Sequence, residues 1–165
     1  MSYQIDQSGK IEQTAKHTYV ALANGKTIII KISATEKRKV IDVIKELQLP
    51  HKTYVYQIFA SLVFLLIKDE KLHEVLIDTE YYGHHASIKE SLMQLFQRFE
   101  KSPPVVHFGF VGKESPAHLA AIQAFREQRK VTITVKAENV LTLLYSKRNV
   151  STKKGWRPRS GRGNP

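Results

Sequence analysis

Along the first thirty residues apolar and polar positions follow a strand-like pattern, and after them the period becomes helical. Thr18–Ala23 (TYVALA) and Thr27–Ile32 (TIIIKI) are rich in β-branched and aromatic residues. Tyr3–Asp6 is a shorter apolar-polar segment, followed by the turn signal Ser8-Gly9. Asn24-Gly25 is a two-residue hairpin signal, since both turn positions tolerate positive φ. The pattern predicts three antiparallel strands over 2–12, 16–24 and 26–33. Thr35 then has the chemistry of an N-cap, with Glu36 in the first turn of a helix running to about Leu49. In that helix Val40, Ile41, Val43, Ile44 and Leu47 recur at helical spacing, lysines and acids lie opposite, and Pro50 ends it.

A helix over about 52–68 is apolar nearly all round, which predicts burial. Val75-Leu76-Ile77 reads as a strand buried on both faces, ending in Asp78 and Glu80. A helix over about 86–100 carries Ile88, Leu92, Leu95, Phe96 and Phe99 on one side, and Ser102-Pro103-Pro104 breaks it. Val105–Val111 alternates as a strand that stops at Gly112. Ser115 caps and Pro116 opens a helix reaching about Lys130. A short strand, Val131–Val135, and a helix, Ala137–Tyr145, complete the series. The order β-β-β-α-α-β-α-β-α-β-α predicts an α/β domain over 1–145. Its sheet is mixed, an antiparallel three-strand meander plus parallel strands, with helices on both faces.

Composition adds mainly charge. The 165 residues are enough for one hydrophobic core and too few for two. There is no cysteine, which excludes disulfides and thiolate chemistry and fits an intracellular, cytoplasmic protein. The N-terminal MSYQIDQSGK has no apolar signal-peptide core, and Val55–Ile67 is too short to span a bilayer, so no membrane is expected. The net charge is +11, and seven of those charges fall within 146–165 as Lys147, Arg148, Lys153, Lys154, Arg157, Arg159 and Arg162, with no acid among them. The last twenty residues therefore read as a flexible basic tail, and a polyanion as the natural partner. A tail that only aids solubility or binds RNA non-specifically is the plainer reading.

The candidate chemistry lies where strands end in acids. If the first strand lies beside the fourth, Asp6 and Asp78 face each other across the sheet. Paired carboxylates on adjacent strands hold divalent metals, and two such metals stabilise the attacking and leaving oxygens of phosphodiester hydrolysis. Oxygen-only ligands suit Mg²⁺ or Mn²⁺. Asp78 and Glu80 read equally well as solvated residues opening a loop.

These features resemble the ribonuclease H-like superfamily over roughly residues 2–130. The shared pattern is the Asp6–Gly9 turn, the 2–33 meander, the 52–68 helix, the Asp78–Tyr81 strand end, and Phe110-Val111-Gly112-Lys113-Glu114 leading into Ser115–Lys130. The resemblance implies a metal-dependent nuclease in which Asp6 and Asp78 bridge Mg²⁺ or Mn²⁺. Two departures stand out. The family places a glutamate in the helix before the fourth strand, where Thr53–Ile67 contains no acid and offers only Gln57 and Ser61. The family's last carboxylate, near the start of the final helix, is replaced by Glu114 just ahead of it and His118 one turn inside. Glu114 is then the third ligand and His118 a ligand or proton shuttle, with Glu80 as a substitute that could equally point to solvent. Lys113 is free to reach a phosphate. The tail residues Lys153, Lys154, Trp156, Arg157, Arg159 and Arg162 would hold the nucleic-acid backbone, with Trp156 stacking. A second expectation keeps the fold as a catalytically inactive nucleic-acid-binding or assembly module. A third is a structural protein whose tail meets an acidic partner protein.

Neighbouring residues have plainer readings. His84 and His85 are adjacent and diverge, so a zinc site is not expected; a loop pair near phosphate is. His107 belongs to a strand as a hydrogen-bonded sheet residue. Tyr81 and Tyr82 have faces for base stacking, but tyrosines opening a helix connection more often pack. Gly112-Lys113 is too short for a Walker-type phosphate loop; Gly112 permits the turn.

Overall fold

The computed structural model describes residues 2–47 and 53–145. The elements follow the predicted order: β1 (Tyr3–Ser8), β2 (Thr18–Ala23), β3 (Ile28–Ile32), α1 (Ala34–Glu46), α2 (Tyr54–Ile67), β4 (Glu74–Asp78), α3 (His85–Arg98), β5 (Val105–Gly109), α4 (Pro116–Phe125), β6 (Ile133–Val135) and α5 (Ala137–Tyr145). They form an α/β fold around one six-stranded mixed sheet in the order β5-β4-β1-β2-β3-β6. β1, β2 and β3 are antiparallel neighbours. β4 joins β1 in parallel with Ile5 opposite Ile77, β5 joins β4, and β6 joins β3. Among the described residues no helix is long and apolar enough to cross a membrane.

The two faces of the sheet are unequal. On one, Ile5, Val20, Leu22, Ile30, Val75, Ile77 and Val106 pack with residues of α1, α2, α3 and α5 into the main core. On the other, α4 lies alone. Its alanines 120, 121 and 124 meet Tyr19, Ala21 and Ile29, and Ala117 meets Ala23 and Val111. Small side chains let this helix sit close to the sheet without a thick apolar layer. β2, in the middle, is buried along its whole length.

Several boundaries differ from the sequence pattern, for local reasons. β1 stops at Ser8 rather than residue 12 because Gly9 turns the chain at φ +78, where a Cβ would stand 2.0 Å from the His17 carbonyl oxygen. The hairpin falls at Asn24-Gly25, but the loop spans residues 24–27, and Asn24 Nδ2 reaches back to donate to the Ser2 carbonyl (2.8 Å). The cap of α1 is Ser33, not Thr35: its Oγ accepts from Glu36 N–H at 3.1 Å. Glu36 in turn accepts from Ala137 N–H (2.8 Å), tying the start of α5 to α1. α4 ends at Phe125, five residues short of Lys130, as the chain turns through Glu127 at φ +60. β4 is buried on one face only, since α4 packs over β1–β3 and leaves Leu76 partly open.

Lys37 is the largest departure. It lies on the apolar stripe of α1 rather than opposite it and is fully buried. Its Nζ donates to the carbonyls of Lys10 (3.1 Å) and Gln13 (2.9 Å) and to Thr18 Oγ1 (2.9 Å). Three oxygens match the three donors of an ammonium and hold down the turn between β1 and β2. Burial lowers the Lys37 pKa to about 8, opposed by the nearby Glu12 carboxylate.

Candidate metal centre

Asp6 and Asp78 each follow the paired residues Ile5 and Ile77, whose side chains enter the main core. Strand alternation therefore turns both carboxylates to the opposite face, at the end of two adjacent parallel strands. The acid that joins them is Glu80. Among the described residues Asp6, Asp78 and Glu80 each place a carboxylate oxygen within 4.8 Å of the others. Glu80 reaches back because the chain folds at once after β4, with its N–H donating to the Asp78 carbonyl at 2.8 Å. Glu114 stands exposed on the turn ahead of α4 and is not one of the three.

Each acid is held differently. Asp6 is only 5% exposed; its Oδ1 accepts from Gln7 N–H (2.7 Å), and its Oδ2 lies 2.8 Å from His118 Nδ1. His118 is placed by the cap of α4, where Ser115 Oγ accepts its backbone N–H (3.1 Å). Asp78 Oδ1 accepts from Val111 N–H (2.9 Å), which pins the loop after β5 against the end of β4. Glu80 faces Lys10 Nζ at 3.5 Å. Burial raises the pKa of Asp6, against the lowering effect of the Gln7 and His118 hydrogen bonds, and the Asp78 charge adds to the rise. Burial also raises Glu80, against the Lys10 ammonium, with Asp78 and Asp6 adding repulsion. Three acids thus crowd together against two basic partners, Lys10 at Glu80 and His118 at Asp6.

Tyr81 supports this group from the core side. Its hydroxyl bonds the Gln7 side chain (3.0 Å) and accepts from Ile11 N–H at 3.4 Å, bridging the turn after β1 to the loop after β4. Its ring packs edge-on against Tyr56 and Phe59, and burial raises its pKa. Packing is thus the outcome for Tyr81, whereas Tyr82 is 76% exposed. No sequence signal near Gln7 announces the bond to Tyr81, which lies far along the chain.

The remaining candidates are scattered. Lys113 is exposed on the β5–α4 loop. His107 sits 3.4 Å from Glu74 across the β4–β5 pair, as a sheet residue. His84 stacks on Tyr56 and His85 on Phe108, so the pair diverges onto different rings. Gly112 adopts φ +94, consistent with a turn. Lys153, Lys154, Trp156, Arg157, Arg159 and Arg162 lie outside the described residues.

The donor set fits a hard divalent cation. All three groups are carboxylates, and Asp78 and Glu80 are only part-buried. Comparison of the chain with family models, with curated proteins and with solved structures gives no match in any of the three.

Proposed function

We propose that this protein is a metal-dependent nuclease of ribonuclease H-like type, hydrolysing a phosphodiester bond in RNA or DNA. The observation that carries the reading is the convergence of Asp6, Asp78 and Glu80 from the ends of β1 and β4. These three residues would hold Mg²⁺ or Mn²⁺. The cation, when bound, would supply Lewis-acid stabilisation of charge building on the phosphoryl oxygens. Asp6 orients His118, whose remaining ring nitrogen would move the proton. The part-buried rim at Asp78 and Glu80 admits a phosphate, and Lys10 beside Glu80 offers it countercharge. The strand order β3-β2-β1-β4-β5 and the Asp6–Gly9 turn support the ribonuclease H-like assignment, and the net charge of +11 supports a nucleic-acid partner.

The test is cleavage of end-labelled RNA, DNA and hybrid strands with Mg²⁺ or Mn²⁺. Asp78→Asn should lower the rate at least about a thousandfold, on the order of 4 kcal/mol of transition-state stabilisation. Wild-type protein that cuts none of the three in either metal rules the reading out. A second reading, a binding or assembly module without catalysis, has one observation in its favour: α2 contributes no acid. Its Ser61 donates internally to the Gln57 carbonyl at 2.8 Å. Salt-sensitive binding without cleavage would select it.

A further inference from the structure

We propose that the free edge of β5 pairs antiparallel with β5 of a second copy of this chain, about a two-fold axis at Phe108, so that the two six-stranded sheets become one.

The sheet ends at β5 on one side and at β6 on the other, and among the described residues no strand lies beyond either. β6 has three residues, too few to offer much of an edge. β5 has five, and its sequence VVHFG contains none of the lysines or prolines that guard such edges. Which main-chain groups face outward follows from those that face inward. Val105 N–H donates to the His73 carbonyl (2.9 Å), and the Gly109 carbonyl accepts from Thr79 N–H (3.0 Å). Between them the parallel ladder with β4 uses alternate residues, which turns the N–H and C=O of Val106 and Phe108 away. Phe110 continues the row. The Gly109 carbonyl points to β4, so the N–H of the same trans peptide, that of Phe110, points out. Val111 N–H donates to Asp78 Oδ1 (2.9 Å), so the Phe110 carbonyl points out as well.

Symmetry selects the occupant. The outward residues 106, 108 and 110 are evenly placed about Phe108, so a copy rotated there presents the same groups in reverse. Phe108 then meets the second copy's Phe108, and Val106 meets its Phe110, each pair exchanging two hydrogen bonds. Side chains agree with this register. Of the four large apolar side chains exposed among the described residues, Val105 (57%) and Phe110 (82%) flank this strand. Phe110 comes to lie beside the second copy's Val106, and Val105 beside its Val111, apolar against apolar. His107 falls opposite Gly109, which has no side chain to meet it. Charge does not oppose the pairing, since His107 is the one titratable residue in 105–111 and Glu74 stands 3.4 Å from it. Pairing β5 with β6 of the next copy would leave new edges open at every step, whereas the two-fold closes. The axis stands perpendicular to the sheet and preserves its faces. Both acidic clusters then lie on one side, with the Asp78 backbones roughly 16 Å apart.

The test is sedimentation equilibrium of the full chain, which should give twice the 18.9 kDa monomer mass with a dissociation constant below about 100 µM. Phe110→Pro removes an outward N–H and an exposed ring, and Val105→Lys puts a charge on the edge. Each should weaken the dimer at least about tenfold with the far-ultraviolet circular dichroism unchanged. Phe110→Ala, which keeps the N–H, should weaken it less. The register is read separately. The chain has no cysteine, so Phe108→Cys supplies one thiol per copy, and on the axis the paired Cα atoms stand about 5.5 Å apart, within disulfide reach. Oxidation should link these chains and leave Leu119→Cys, exposed on α4, as monomer. A dimer that survives both Phe110→Pro and Val105→Lys overturns the proposal, as does Phe108→Cys that links no faster than Leu119→Cys. Wild-type protein that stays monomeric at about 100 µM also overturns it, leaving the edge to a segment of this chain or to a foreign strand.

Discussion

The turn between β1 and β2 has a buried charge on either side, and the two are handled in opposite ways. Lys37 is sealed from solvent and surrounded by three oxygens, one for each of its protons. The acids Asp6, Asp78 and Glu80 sit against one another at a part-buried rim, with Lys10 at Glu80 and His118 at Asp6 as their basic partners. The first charge is completed by the protein itself. The second is left short of positive charge, at a place where a cation can arrive from outside. Lys10 joins the two, since its carbonyl accepts from Lys37 and its amine faces Glu80. A charge that its own fold neutralises is structural, and one that is not points to a ligand.

The contrast can be broken most sharply at Lys37. Lys37→Met removes the three hydrogen bonds that join α1 to the turn between β1 and β2, and should lower unfolding free energy by about 3 kcal/mol, read as a shift in urea midpoint. A variant as stable as wild type would show that the sealed charge does not hold the turn. At the acidic cluster the effect should run through added metal. Mg²⁺ or Mn²⁺ at about a hundred times its dissociation constant should stabilise the protein by about 2.7 kcal/mol, seen as a rise in melting temperature. Asp78→Asn and Glu80→Gln should abolish that rise, whereas Lys37→Met should keep it. An equal rise in Asp78→Asn would mean the ion binds elsewhere.

The pH dependences should also oppose one another. Lys37 has its folded pKa lowered to about 8 from 10.5, so the folded state loses its proton first. Stability should therefore climb between about pH 8 and 10.5, and the climb should vanish in Lys37→Met. Asp6 and Glu80 have folded values raised above the unfolded ones. Their ionisation is unfavourable in the fold, so the metal-free protein should lose stability as pH rises through those values. Metal competes with those protons, so its stabilising effect should shrink on acidification. Smallest of all, metal-free Asp78→Asn should be up to about 1 kcal/mol more stable than wild type at pH 7, through relief of like-charge repulsion.

How much of this could be read from the chain depends on whether the information was local. Element order was legible because alternation in TYVALA and the helical period after Ser33 are written in adjacent residues. So was the meeting of Asp6 with Asp78, once β1 was placed beside β4. Glu80 was ambiguous because it lies past the strand, where alternation no longer fixes direction and a turn decides. Lys37 did carry a signal, standing three residues before Val40 and four before Ile41 on the stripe they define. A lysine there is easily taken for a solvated one, because its acceptors belong to a different segment. Ser33 with Glu36 has the spacing of a capping box, yet Glu36 turns instead to Ala137, across a separation no local pattern records. The bare half of the sheet over β4 follows from where α4 lands, which composition does not state.

The alanines of α4 act as a shim. Because Ala117, Ala120, Ala121 and Ala124 are short, the helix rides low over β1 and β2, and the imidazole at its first turn comes level with the aspartate below. A bulkier stripe would raise the whole cylinder, and the gap between ring and carboxylate would widen with no reactive group altered. The distance between imidazole and carboxylate is gauged by methyl groups.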